Sequence, residues 1–343
     1  MKNINLSFAL SAVLAASTMI VGSTARAEEL PQTKAQQQFS VTQGFRDSAL
    51  PVLQRSAGTD QNKVSAALIE KLGLGNVVSS KRGNTLQVNG KQWIMEVTAD
   101  GTGVDFHDQA VEGRAHSQGK PLLQKMSSEE LERRGRAFIA SKLASQIVLG
   151  ANEQLVAEHT NYRIEGGQDL KTGEISQAVV DNRIVFGRTL NGVPVVGNGS
   201  KVTLIFLNDG SLASFRYDWP TYRTSAAQNL VDAGQILSRV QTVLGARNDV
   251  TAATQAVTVP SAEADAYPLQ MTPNTKLVAL ECGYRDSGSF TKHPTQSVQP
   301  GCEYRAVVQD TAGMRAGYAG AVPAGAHFAQ DAAWLETQML GSK

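Results

Sequence analysis

From residue 153 to residue 222 the chain keeps to one pattern. Runs of alternating apolar and polar residues are separated by short joints that tolerate positive φ. Alternation at period two sends successive side chains to opposite faces of a pleated strand. The runs are 155–164, 177–190, 194–196, 201–207 and 211–217, and the joints include Gly166-Gly167, Asn191-Gly192 and Asn208-Asp209-Gly210. Joints of this chemistry reverse the chain within a few residues, so neighbouring runs pair antiparallel. Any fold for this chain has to accommodate that sheet.

Helical periodicity flanks it. Asp60 stands at a capping position before Val64, Ala67, Leu68 and Leu72, and Gly73 and Gly75 follow. Residues 85–88, the Asn89-Gly90 turn and residues 91–98 read as a hairpin. It presents Leu86, Val88, Trp93, Met95 and Val97 to the core. A second turn at Asp100-Gly101 leads into Val104-Asp105-Phe106. Ser127 and Glu130 have capping-box spacing, and Leu131, Phe138, Ile139, Leu143 and Ile147 form a buried stripe that Gly150 ends. A second amphipathic helix is expected over 230–245, strands over 255–259, 277–284, 304–309 and 316–322, and a closing helix over 331–340. The expected class is α+β, with helices packed on antiparallel sheets in two modules.

The first 27 residues bear on compartment. Lys2 is followed by an apolar run from 6 to 22, then Ala25-Arg26-Ala27 and Glu28-Glu29. That is the layout of a secretory signal peptide cut after Ala27, so the expected location is secreted or periplasmic. Cleavage leaves 316 of the 343 residues, enough for about two domains. It also removes Lys2 and Arg26, so 32 basic residues become 30 against 31 acidic ones. A chain this close to neutral has no general attraction for nucleic acid or anionic lipid. No second long apolar run follows, so no transmembrane segment is expected after the signal. Residues 28–58 read as a polar arm and residues 59–126 as a small helix–hairpin region. Residues 127–228 form an α+β domain, and residues 229–343 a second one that holds both cysteines.

Those cysteines are Cys282 and Cys302. In an exported chain two cysteines most simply form one disulfide, and the Gly-, Ser- and Pro-containing segment between them gains from a staple. The alternatives are a thiol nucleophile or a metal-ligand pair, but the spacing fits no zinc pattern.

Residues 183–219 carry a family resemblance. An aromatic-containing strand is followed by Leu190-Asn191-Gly192-Val193-Pro194-Val195, a Gly-rich loop, an alternating strand, then Leu207-Asn208-Asp209-Gly210-Ser211-Leu212 and another strand. This resembles the PepSY and FTP type of domain, found in propeptides of secreted metalloproteases and in exported bacterial regulatory proteins. The resemblance assigns residues 127–228 to one such domain, with the helix at 128–148 where the family places one. It implies a helix on an antiparallel sheet, no cofactor, and a role in inhibiting or helping to fold a protease, or in binding other exported proteins. No His-Glu-x-x-His follows, so this copy would be a free-standing module acting in trans, or one with a different job.

None of the five histidines lies three or four residues from another, which removes the helical zinc pair. Asp105-Phe106-His107-Asp108 is the best local cluster: on a strand Asp105 and His107 would share a face and could bind a metal or move protons, but the stretch reads first as a solvated loop after the Asp100-Gly101 turn. Gly197-Asn198-Gly199-Ser200 lacks the second half of a nucleophile elbow, and Asn208-Asp209-Gly210 lacks the further ligands of a calcium loop. Arg216, Tyr217, Trp219, Tyr222 and Arg223, with Asp218, crowd the end of the sheet. Aromatic and Arg side chains dominate protein interfaces, so these five are the candidate interaction patch. The other account places Tyr217 and Trp219 in the core. The functional expectation is an exported, non-enzymatic module that binds another exported or envelope protein, a protease among them. Its rivals are a secreted hydrolase with a site assembled from distant residues, and an envelope ligand-binding protein.

Overall fold

The computed structural model describes residues 47–56, 58–117, 125–248, 269–272, 275–291, 296–309 and 315–326. The expected signal peptide, the strand at 255–259 and the helix at 331–340 lie outside them. In chain order the first elements are β1 (Ala49–Arg55), α1 (Gln61–Leu72), β2 (Val78–Arg82), β3 (Thr85–Asn89), β4 (Trp93–Val97), β5 (Gly103–Asp108), α2 (Gln109–Ser117) and α3 (Ser128–Lys142). The long hairpin β6 (Glu153–Gln168) and β7 (Ile175–Leu190) follows, then β8 (Val193–Val196), β9 (Lys201–Phe206), β10 (Leu212–Asp218) and β11 (Tyr222–Asn229). Last come α4 (Ala233–Asn248), β12 (Leu269–Thr272), β13 (Thr275–Arg285), β14 (Ser297–Gln309) and β15 (Arg315–Pro323).

The strands join in a single hydrogen-bonded network, ordered β11-β1-β14-β13-β8-β7-β9-β10-β5-β4-β3-β2. β12 is added on β13, β15 on β14 and β6 on β7. Pairing is antiparallel except between β13 and β8, where Tyr284 lies opposite Val195 in parallel register. This corrects the expected class. Among the described residues the fold is a large mixed sheet, 49% strand against 21% helix, and not helices packed on antiparallel sheets. Two local causes stand out. The Asn191-Gly192 turn, with both residues at positive φ, returns β8 along β7, and β8 then offers its other edge to β13. β1, from the segment read as a polar arm, pairs with both β11 and β14. Alternation within a strand reports which face is wet; it does not report which distant strand claims a free edge.

Where local chemistry decides, the elements follow it. Asp60 caps α1 by accepting from the Asn62 and Lys63 amides, and Gly73 closes that helix at φ 70°. Ser127 caps α3 through the Glu130 amide, 3.2 Å away. Glu130 does not reciprocate; its carboxylate is taken by Arg133 and Arg134. α3 ends at Lys142, earlier than the stripe implies, although Leu143 and Ile147 are still buried beyond it.

The largest core cluster lies under α1 and α3. It joins Leu68, Leu131 and Ile139 to Leu86, Val88, Met95, Val97, Phe106, Ile184, Phe186, Leu204 and Phe215 from the sheet. A second cluster sets Ile236 and Val240 of α4 against Leu277, Tyr304 and Val322. Cys282 and Cys302 are register partners on β13 and β14 and are joined by a disulfide. Among the described residues no helix is long and apolar enough to cross a membrane.

Candidate functional site

Strand parity builds the site. On β5, Val104 and Phe106 point into the core, so Asp105 and His107 point to the opposite face. Register carries the same face across the sheet. Ile94 lies opposite His107, His107 opposite Ser214, Ser214 opposite Ile205 and Ile205 opposite Arg183. A groove of about 410 Å³ opens there, lined by His107, Glu112, Arg163, Asp181, Arg183, Ile205, Leu207, Ala213 and Ser214. Asp108 anchors the start of α2 by accepting from the Val111 amide, and the first turn of that helix sets Glu112 at the groove's edge.

The charges in and beside the groove are mostly paired. His107 Nδ1 lies 2.8 Å from Glu112 Oε1, and its Nε2 lies 3.3 Å from Asp105 Oδ1. Asp105 and Glu112 together push the imidazole up to about 9, so it is a cation at neutral pH. Arg163 holds Asp181 at 2.7 Å and Glu165 at 2.8 Å. Arg216 lies 3.7 Å from Asp105 and stacks over Phe290, 4.1 Å from the ring centroid. Asp181 and Ser214 are buried, and Leu207 and Ala213 form an apolar part of the floor. An imidazole that already holds its proton is a poor general base at neutral pH, and the arrangement suits binding of a charged, partly apolar segment.

A second constellation is sealed inside. The Arg55 side chain is 3% exposed and donates to Asp286 at 2.6 and 2.8 Å, to Asp218 at 2.8 Å and to Ser289. Thr102 accepts at 3.2 Å, and Asp100 stands 3.8 Å away. Tyr222 donates to Asp286 and lies 2.8 Å from the Ser200 hydroxyl. Burial pushes the Asp218 carboxyl up and Arg55 opposes it. Hydrogen bonds from Thr98, Thr102 and Ser289 outweigh burial at Asp100 and hold its carboxyl low. Gly199 makes room: a Cβ there would sit 2.1 Å from the Asp286 carboxylate carbon. The network ties β1, β10, the start of β11 and the 286–289 loop together, and its closed hydrogen bonding marks it as a structural clasp.

The expected interaction patch does not form one surface. Arg216 and Arg223 are exposed, on β10 and β11. Tyr217 and Trp219 are buried, and the Trp219 indole donates to the Val148 carbonyl at 3.0 Å. Tyr222 belongs to the sealed clasp. Arg188 lies about equally far from the Trp219 and Tyr222 rings, 5.0 and 5.1 Å from their centroids. Sequence reading missed Arg163, Asp181 and Arg183. The available signal was parity in the 177–190 run, where Asp181 and Arg183 alternate with the core residues Val180, Ile184 and Phe186. Among the described residues no group of His, Cys, Asp and Glu is placed to hold a metal ion.

No family model matches the chain, and no curated protein matches it in sequence. Among solved structures it is similar to the crystal structure of an uncharacterized protein from Eubacterium rectale ATCC 33656. The two share 10% identity and a TM-score of 0.45, over 82% of this chain and 85% of that one.

Proposed function

We propose that this chain is an exported, non-enzymatic module that binds a segment of another exported or envelope protein in the groove on the outer face of its sheet. The observation that supports this best is the state of His107. Asp105 and Glu112 hold it protonated, so the groove presents fixed charge where hydrolysis would call for a free base. Mixed charge over an apolar floor suits an extended segment of a partner protein. The likeness of the 190–195 and 207–212 turns to PepSY and FTP domains supports the same class of role, with a protease as one candidate partner. The signal-like leader supports export.

The test is site-specific photocrosslinking in the native fluid or envelope. A photoreactive residue at Arg163, on the groove, should give a discrete protein adduct. The same group at Lys81, on the edge strand β2, should give none. Absence of an adduct at Arg163, or substrate turnover that disappears in His107→Gln, would reject the reading.

A further inference from the structure

Charge accounting in the groove leaves one cation over. His107 has Glu112 and Asp105, Arg163 has Asp181 and Glu165, and Arg216, beside the groove, has Asp105. Arg183 also lines the groove and is half-buried. It has no hydrogen bond or ion pair to any described residue. Its charge is felt by His159, which burial first and then the nearby Lys201 and Arg183 charges oppose in taking a proton. None of its nitrogens is sealed from solvent, and a guanidinium carries five donors in one plane, so it is free to take an acceptor from a ligand. The acceptor that matches this plane is a carboxylate, gripped by two parallel hydrogen bonds.

The surroundings narrow the ligand. Arg163, Arg183, Ile205, Ser214 and His107 stand on five adjacent strands, β6, β7, β9, β10 and β5, with Glu112 on α2 at the edge. At a spacing of about 4.8 Å the four steps between them cover about 19 Å. That is the length of five or six extended residues at about 3.3 Å each. Ile205, Leu207 and Ala213 give the floor an apolar stretch beside Arg183. We infer that the groove recognises an extended peptide segment of a partner protein through a carboxylate received by Arg183, with neighbouring apolar side chains on Ile205 and Leu207. The inference rests on the binding reading given above. The carboxylate is that of an Asp or Glu side chain within the segment, because Arg183 stands on β7, inside the span of strands and not at its end; a partner's free C-terminus is the rival that the test separates.

Two random-heptamer phage libraries distinguish them, one displayed with internal peptides and one with free C-termini. Panned on residues 28–343, the internal library should enrich Asp or Glu at one position. Enrichment from the free-end library alone, with apolar residues before the end, would overturn the internal assignment. Arg183→Gln should lower phage recovery at least tenfold, and Arg183→Lys should lose less. The selected peptide should also shift the Arg183 Nε–Hε resonance in the wild-type protein, a readout that does not depend on a variant folding. Enrichment indifferent to carboxylates, equal recovery by Arg183→Gln, or no enrichment from either library would overturn the inference. A protein adduct at Arg163 that persists in Arg183→Gln would then leave the binding reading standing without it.

Discussion

At the scale of single residues, the molecule separates two uses of charge. Arg55 is enclosed with Asp218 and Asp286, and removing it strands two carboxylates out of water. Breaking a buried pair in this way typically costs about 3–5 kcal/mol. Arg55→Met should lower the urea midpoint by a matching amount with little change in slope; a loss under about 1 kcal/mol would show the clasp to be dispensable. His107 behaves differently because it is half exposed. Its folded value is raised from 6.5 to about 9, so its pairing with Asp105 and Glu112 favours the fold fully below about pH 6.5 and fades as pH rises through 9. An NMR titration of its ring proton should show a midpoint near 9, and Asp105→Asn should bring that midpoint down. A midpoint at the ordinary histidine value would mean that the two carboxylates do not hold it. The sequence offered the Asp105–His107 pairing only behind a solvated loop; β5 makes it real, because two residues apart on a strand is one face. Arg55 was not, because nothing local marks an arginine whose partners lie at 218 and 286.

Among elements, those specified by nearby residues are the ones the sequence disclosed. The caps of α1 and α3, the Asn89-Gly90 and Asn191-Gly192 joints, and the inward set on β3 and β4 all rest on interactions within a few residues. β1, β2, β11 and α2 escaped notice for a common reason. β2 and β11 are almost wholly exposed and show no apolar alternation, and β1 and α2 are short and flanked by polar residues. Their order comes from pairing and packing with distant parts of the chain. Ser127 offers a clean test of the local kind. Ser127→Ala removes the acceptor for the Glu130 amide and should cost about 1 kcal/mol, read as a lowered thermal midpoint. No change would place the start of α3 under the control of packing alone.

For the whole molecule, strands from both sides of the boundary expected at residue 228 share one hydrogen-bonded order. The disulfide strengthens one part of it. Cys282 and Cys302 already face each other across β13 and β14, 20 residues apart in sequence. Closing a loop of that size contributes about 3 kcal/mol, chiefly by restricting the unfolded chain. The Cys282→Ser/Cys302→Ser double variant should therefore lose roughly 3 kcal/mol of unfolding free energy by urea titration while keeping its native circular dichroism. A change in the native spectrum would mean that the bond sets the register of β13 and β14 as well as tethering them.

The position of β1 has a consequence for assembly. One side of this early strand awaits β11 and the other awaits β14, so residue 53 finds its neighbour at residue 298 only when almost the whole polypeptide is present. Such remote pairings close slowly. A nascent chain appearing amino end first would carry Leu50 and Leu53 bare throughout that delay, the interval in which a holding factor would have most to protect.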